Sequence, residues 1–346
     1  MGKMIKPPKL NIGDTIATIS PSWGCAGDES VRWKYELSVK RLEELGLHVV
    51  AAPHSLKGAA FLEQHPEKRA EDVMWAFENR EVKAIIANIG GNDSHRLLPY
   101  LEPTVIKENP KIFCGYSDVM NLHLYCHQLG LSTFYGPNLL TTVAEAGTWH
   151  PYSKEWFQKV FFQAEAIGEI PPSKEWSFDA HDHTNPQHTR QYRANEGYER
   201  VQGNGVVRGR LFGGHGGLME YDSESPIVLT QADFANTILF FEDIPEFCDV
   251  EYMGSFFDWL GKNGYLQVLK GVIIGKMCTQ SPFMPYAEVI RGVVTGKYGL
   301  EDLPILYGVN FGHASPICIL PYGVEAELDM EKLRFTITES GVANLP

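Results

Sequence analysis

An α/β fold, with a parallel sheet in the N-terminal half and a second α+β domain in the C-terminal half, is predicted by three observations. Apolar strand-like runs alternate with amphipathic helical segments through the first half. The alternation fails from about residue 165 to 205 and then resumes with GRLFGGHGGL. The chain has 346 residues, 44% hydrophobic and 21% charged, which suffices for a large core and for two domains of roughly 150 residues each.

The strands expected first are DTIATIS (14–20), HVVAA (48–52), VKAIIANI (82–89) and KIFCG (111–115). Between them, Val31, Tyr35, Leu42 and Leu45 keep one helical face until Gly46, and Ala70, Val73, Met74 and Phe77 form another. Val119, Leu122, Cys126 and Leu129 repeat that spacing after Ser117 and stop at Gly130. Open sheets of this kind bind ligands beyond the carboxyl ends of their strands, so the residue after each run is the one to inspect.

The 165–205 segment is polar and rich in His, Pro and Asn, and reads as a crossover carrying a long loop. Its His181, Asp182, His183 and His188 hint at metal, but no HExxH frame is present and a solvated loop is the expectation. The second half offers NTILFFE (236–242), a helix near 252–269, GVIIGKM (271–277), a helix near 287–298, LPILYGVNFGH (303–313) and a closing β-hairpin in GVEAELDMEKLRFTI. The expected organisation is an α/β domain over 1–165, a crossover and substrate loop over 166–205, and an α+β domain over 206–346.

A formal net charge of −13 gives no general field for a phosphate backbone, which argues against a nucleic-acid polymer as partner. The N-terminus MGKMIKPPKLNIGD lacks the apolar stretch of a signal peptide, and no run approaches ~18 apolar residues, so a cytoplasmic protein with no membrane partner is expected. Cys25, Cys114, Cys126, Cys248, Cys278 and Cys318 have no CxxC spacing and sit mostly in apolar runs, where reduced cysteine is a small hydrophobe.

Ser117 lies where a strand turns into a helix, in GYSD. That position presents a hydroxyl beside unpaired helix N–H groups and suits a nucleophile, although a serine there is also an ordinary N-cap. Glu242 ends NTILFFE and His313 follows ILYGVNF, both at strand carboxyl ends as Ser117 is. Singly, Glu242 reads as the start of a charged turn and His313 as a turn residue satisfied by Ser315; jointly they match the Ser–acid–His logic. Gly90-Gly91, after VKAIIANI, let a backbone N–H approach a ligand, and the N–H groups of Gly91 and Asp118 form the expected oxyanion hole. The chain lacks G-x-x-x-x-G-K-[ST], and Val119 replaces the second glycine of an α/β-hydrolase G-x-S-x-G elbow.

GDTIATISPSWG, IIANIGGNDSHRLLPYL, FCGYSDVMNLHL, YGPNL, GRLFGGHGGL, LFFEDIPE, GVIIGKM and NFGHASP together resemble, in order, the motif series of the LD-carboxypeptidase and microcin C immunity serine peptidases. The resemblance implies a flavodoxin- or amidotransferase-like N-terminal domain, a C-terminal α+β domain, a homodimer, and a triad of Ser117, Glu242 and His313 working without metal or cofactor. It also implies a small peptide or aminoacyl-nucleotide substrate. Ile89 before the glycines, where carboxypeptidases usually carry arginine, and the long loop with Trp176 lean toward the immunity branch, which cleaves microcin C-like compounds. A murein tetrapeptide LD-carboxypeptidase is the alternative, and a non-catalytic adenylate- or peptide-binding protein is a further one. Trp176 is expected either to stack on a purine or to anchor the loop; Asn138, His215 and Lys276 are further candidate substrate contacts, His215 standing where the family often has asparagine. A substrate carboxylate would need a cation, for which Arg96, Arg210 and Lys276 are the candidates.

Overall fold

The computed structural model describes residues 4–221, 225–277 and 283–344; the first three residues and Cys278 lie outside these ranges. In chain order the first strands are β1 (Thr15–Ile19), β2 (His48–Ala51), β3 (Val82–Ala87), β4 (Ile112–Gly115) and β5 (Phe134–Tyr135). They pair in parallel, and helices Arg32–Glu43, Pro66–Glu78 and Met120–Gln128 lie along the connections. Strands buried on both faces read as continuous apolar runs, which is why β3 and β4 were visible in the sequence.

Four short strands follow in the segment expected to be loop: β6 (Gly168–Glu169), β7 (Glu175–Trp176), β8 (Arg193–Ala194) and β9 (Glu199–Gln202). Polar sequence hides them because β6 and β9 occupy sheet edges and β7 pairs only with β8. The remaining strands are β10 (Val206–His215), β11 (Thr237–Glu242), β12 (Gly271–Gly275), β13 (Ile305–Val309), β14 (Leu320–Pro321), β15 (Glu325–Asp329) and β16 (Arg334–Ile337). The first sheet runs β14-β5-β4-β3-β1-β2 and the second β6-β16-β15-β10-β11-β12-β13-β9. The strands β10 to β13 are parallel, and the expected terminal hairpin is β15–β16.

Three features depart from the sequence reading. The helix expected to 269 spans Val250–Lys262, because Gly264 turns left-handed and a short 3₁₀ turn, Leu266–Val268, follows. The strand β10 carries Gly209, Gly213 and Gly214, so its apolar pattern is interrupted although it holds the middle of the second sheet. The third is β14, which comes from the second half yet pairs antiparallel with β5 in the first sheet. It stitches the two sheets together beside Tyr135.

This topology carries four site segments to strand carboxyl ends. Gly90-Gly91 follow β3, Ser117 follows the neighbouring β4, Glu242 closes β11 and His313 follows β13. The five described cysteines, Cys25, Cys114, Cys126, Cys248 and Cys318, are buried. No helix among the described residues is long and apolar enough to cross a membrane.

Candidate active site

The elbow after β4 is tight. Tyr116 is extended, Ser117 takes φ +64°, and a 3₁₀ turn over Ser117–Val119 leads into the helix Met120–Gln128. A left-handed conformation costs a non-glycine residue about 1–3 kcal/mol and persists only where its surroundings fix it. Here the Ser117 N–H donates to the Tyr135 hydroxyl at 3.1 Å, and the preceding Tyr116 N–H donates to Asn138 Oδ1 at 3.2 Å. Gly90 lies so close that a Cβ on it would sit 2.8 Å from Ser117 Cβ.

The structure brings Ser117, Glu242 and His313 together. His313 Nε2 is 3.2 Å from Ser117 Oγ, and its Nδ1 is 2.8 Å from Glu242 Oε2. Glu242 is fully buried, accepts the His313 backbone N–H at 3.0 Å, and accepts the Tyr135 hydroxyl on its other oxygen. Burial disfavours its charge, but His313 and these donors prevail and hold the carboxyl below its ordinary value. Burial likewise disfavours the imidazolium of His313, yet the charge and hydrogen bond of Glu242, with Asp243 and Glu246 beyond, raise its pKa. The bland alternatives fail on geometry: Glu242 is no surface turn, and Ser315 bonds Glu145 and Tyr192.

A second set of contacts fixes the glycine turn against the elbow. The buried Asp118 carboxylate accepts the Asp93 N–H at 3.0 Å and the Ser94 N–H at 2.8 Å, while Ser94 Oγ donates to the Asp118 carbonyl at 2.5 Å. Asp93 in turn takes a two-pronged bond from the buried guanidinium of Arg69, at 2.7 and 2.9 Å. Arg69 also donates to the carbonyls of Pro21 and Ser22, so two loops meet on one cation.

A cavity of about 300 Å³ opens over Ser117 and His313, with Trp23, Gly91, Tyr116 and Asn138 on its walls. The 165–205 segment reaches it through Phe178–His183. Among the expected contacts, Asn138 lines the cavity, whereas Trp176, His215 and Lys276 do not. Trp176 is 5% exposed and lies within 5.0 Å of both the Arg193 guanidinium and the Lys276 ammonium, which makes it the root of the loop and not a stacking face. Lys276 bonds Asn195 and pairs with Glu196 at 3.6 Å, and His215 pairs with Asp243 at 3.2 Å. Arg210 donates to the Gly323 carbonyl, and Arg96, which pairs with Asp93, lines an adjoining cavity that shares Trp23 and Gly91. The sequence reading did not single out Tyr135, Arg69 or Glu246; the last is one of two acids on the cavity wall, with Asp179. No cluster of three or more His, Cys, Asp or Glu suited to a metal occurs among the described residues.

Known proteins match both halves of the chain. The profile of the LD-carboxypeptidase N-terminal domain matches residues 16–136, and that of the LD-carboxypeptidase C-terminal domain matches 208–328. YocD of Bacillus subtilis, which bears a provisional carboxypeptidase name, is 30% identical over 91% of this chain and 93% of its own length. The microcin C7 self-immunity protein MccF of Escherichia coli is 28% identical over 95% of this chain and 94% of its own. The crystal structure of an MccF-like protein from Streptococcus pneumoniae in complex with AMP superposes with a TM-score of 0.84 at 30% identity, covering 94% of this chain and 98% of that one.

Two predictions follow from this geometry. By NMR titration the His313 imidazole protonates above the ordinary value of about 6.5. Glu246→Gln lowers its pKa, and Gly312→Ala does so too, because a Cβ there would meet Glu242 Oε2 at 2.2 Å and push the carboxylate away. In urea unfolding, Arg69→Met costs roughly 3 kcal/mol, the low end for breaking a buried pair because Asp93 is partly exposed.

Proposed function

The chain belongs to the LD-carboxypeptidase family of serine peptidases, and on that premise we propose that Ser117, His313 and Glu242 form its catalytic triad. The observation that carries this reading is the unbroken chain of contacts from Ser117 Oγ through His313 to the buried Glu242. In the first step His313 Nε2 takes the Ser117 proton and the alkoxide attacks an amide carbonyl, whose oxygen is held by the N–H groups of Gly91 and Asp118. The imidazolium then protonates the leaving nitrogen. Water repeats the sequence and releases the acyl group. Glu242 supports imidazolium formation and fixes the tautomer with the proton on Nδ1.

For the substrate we favour aminoacyl- or peptidyl-nucleotide compounds of the microcin C kind, supported by the likeness to MccF and to an AMP-bound MccF-like structure. The lining residues narrow the acyl part. Among the described residues they include Asp179 and Glu246 but no Lys or Arg. His181 and His183 supply little positive charge near neutral pH, because burial, reinforced by nearby cations, drives His181 far down and His183 to about 4. An acidic side chain on the substrate therefore meets like charge, whereas an amine meets its complement. The adjoining cavity brings in one cation, Arg96, which is paired with Asp93 beside Glu63. Murein tetrapeptide cleavage is the second reading, supported by the family's LD-carboxypeptidase profiles.

Ser117→Ala reduces hydrolysis by roughly 10⁴-fold or more while circular dichroism stays unchanged; retained turnover refutes the triad. A comparison of lysyl-sulfamoyl adenosine, aspartyl-sulfamoyl adenosine and murein tetrapeptide tests the substrate. The expected order of kcat/KM places the lysyl compound at least about tenfold above the aspartyl one, with Glu246→Gln narrowing the gap. Preference for the tetrapeptide would assign the chain to the murein branch.

A further inference from the structure

Tyr135 opens the YGPNL motif and has been given no role above, yet its hydroxyl sits between the two halves of the machinery. The strand β5 is two residues long and Tyr135 is fully buried within it, packed against Phe240 at 5.5 Å and edge-on to Tyr116 at 6.3 Å between ring centres. Its oxygen accepts the Ser117 N–H at 3.1 Å, and its proton goes to Glu242 Oε1. The polarity of both bonds is determined, since an amide N–H only donates and an ionised carboxylate only accepts. Burial and the negative charge of Glu242 keep the phenol protonated.

We propose that Tyr135 is a positioning residue, a strut whose one hydroxyl holds the nucleophile's backbone in its left-handed conformation and sets how much charge Glu242 presents to His313. This inference rests on the triad reading above. Three consequences follow from the contacts. First, the Ser117 N–H is occupied by Tyr135 and withdrawn from the oxyanion, which leaves that role to Gly91 and Asp118. Second, Oε1 is held by Tyr135 while Oε2 faces His313, so the carboxylate cannot swing without losing one partner. Third, a donor on Oε1 draws charge away from Oε2, so a weaker donor makes Glu242 a stronger partner for the imidazolium and a stronger donor makes it a weaker one. The other ionisable neighbours are Asp243, Glu246, His215, His181 and Tyr116 around His313, and Tyr322 and His123 beside Tyr135; a substitution at 135 replaces none of them.

The test is the rate of labelling by a fluorophosphonate, which needs the triad but no knowledge of the substrate. For Tyr135→Phe the maximal labelling rate falls by about 10–100-fold while the probe's half-saturating concentration stays within about threefold, and the acid limb of the pH profile moves up. Replacing Tyr135 by 3-fluorotyrosine keeps the hydroxyl and the packing but strengthens the donor, and moves the limb down. A loss confined to half-saturation, or a labelling rate and limb equal to wild type in Tyr135→Phe, overturns the strut. If that variant does not fold, a limb that is unmoved or raised in the fluorotyrosine protein overturns it instead. Ser117→Ala separates the two levels: continued turnover in it sinks the triad itself, whereas an inert Ser117→Ala beside an unaffected Tyr135→Phe sinks only the role of Tyr135.

Discussion

A single fully buried carboxylate organises this molecule. Glu242 ends β11 in the second sheet and gathers donors from Tyr135 in the first sheet and from the backbone and ring of His313. An uncompensated charge at such a depth is worth several kcal/mol against the folded state, so the three donors are a condition of folding as much as of chemistry. Because Tyr135 comes from one sheet and Glu242 from the other, the requirement also holds the sheets in register across the site. The strand β14 adds to this by carrying chain from the second half into the first sheet, next to Tyr135.

Around Ser117, the proposed nucleophile, the same economy appears in a different form. The left-handed Ser117 is unfavourable by itself, and its neighbours fix it from three directions: Tyr135 at its N–H, Asn138 at the residue before it and the Asp118 carboxylate at the glycine turn opposite. Arg69 extends that bracing outward by joining Asp93 to the Pro21-Ser22 carbonyls. Trp23, the next residue, reaches both cavities from that fixed loop. Rigid elements thus carry the groups proposed to react, while the loop from Phe178 to His183 supplies the part of the wall that varies most easily in chemistry.

What could be read in the sequence and what could not divide along physical lines. The strands β3, β4 and β11 are short, largely buried apolar runs with Gly90, Ser117 and Glu242 at or just beyond their carboxyl ends, so fold and candidate residues were visible together. His313 was reachable for the same reason, through β13. Tyr135 was not, because β5 is two residues long and its hydroxyl partners lie 18 and 107 residues away. Arg69 resembled any exposed helix cation until its carbonyl and carboxylate partners closed around it. Trp176 left stacking and anchoring equally open because aromatic character is local information, while its cover by Arg193 and Lys276 is not.

Everything in the proposed chemistry passes through one oxygen atom, Ser117 Oγ. Peptide mapping by mass spectrometry after fluorophosphonate treatment of the wild-type protein reads that atom. The expected result is a single stoichiometric adduct on Ser117 that forms faster as pH rises through the titration of His313. An adduct on another serine, or a protein that hydrolyses its substrate while Ser117 stays unmodified by the reagent, would contradict it.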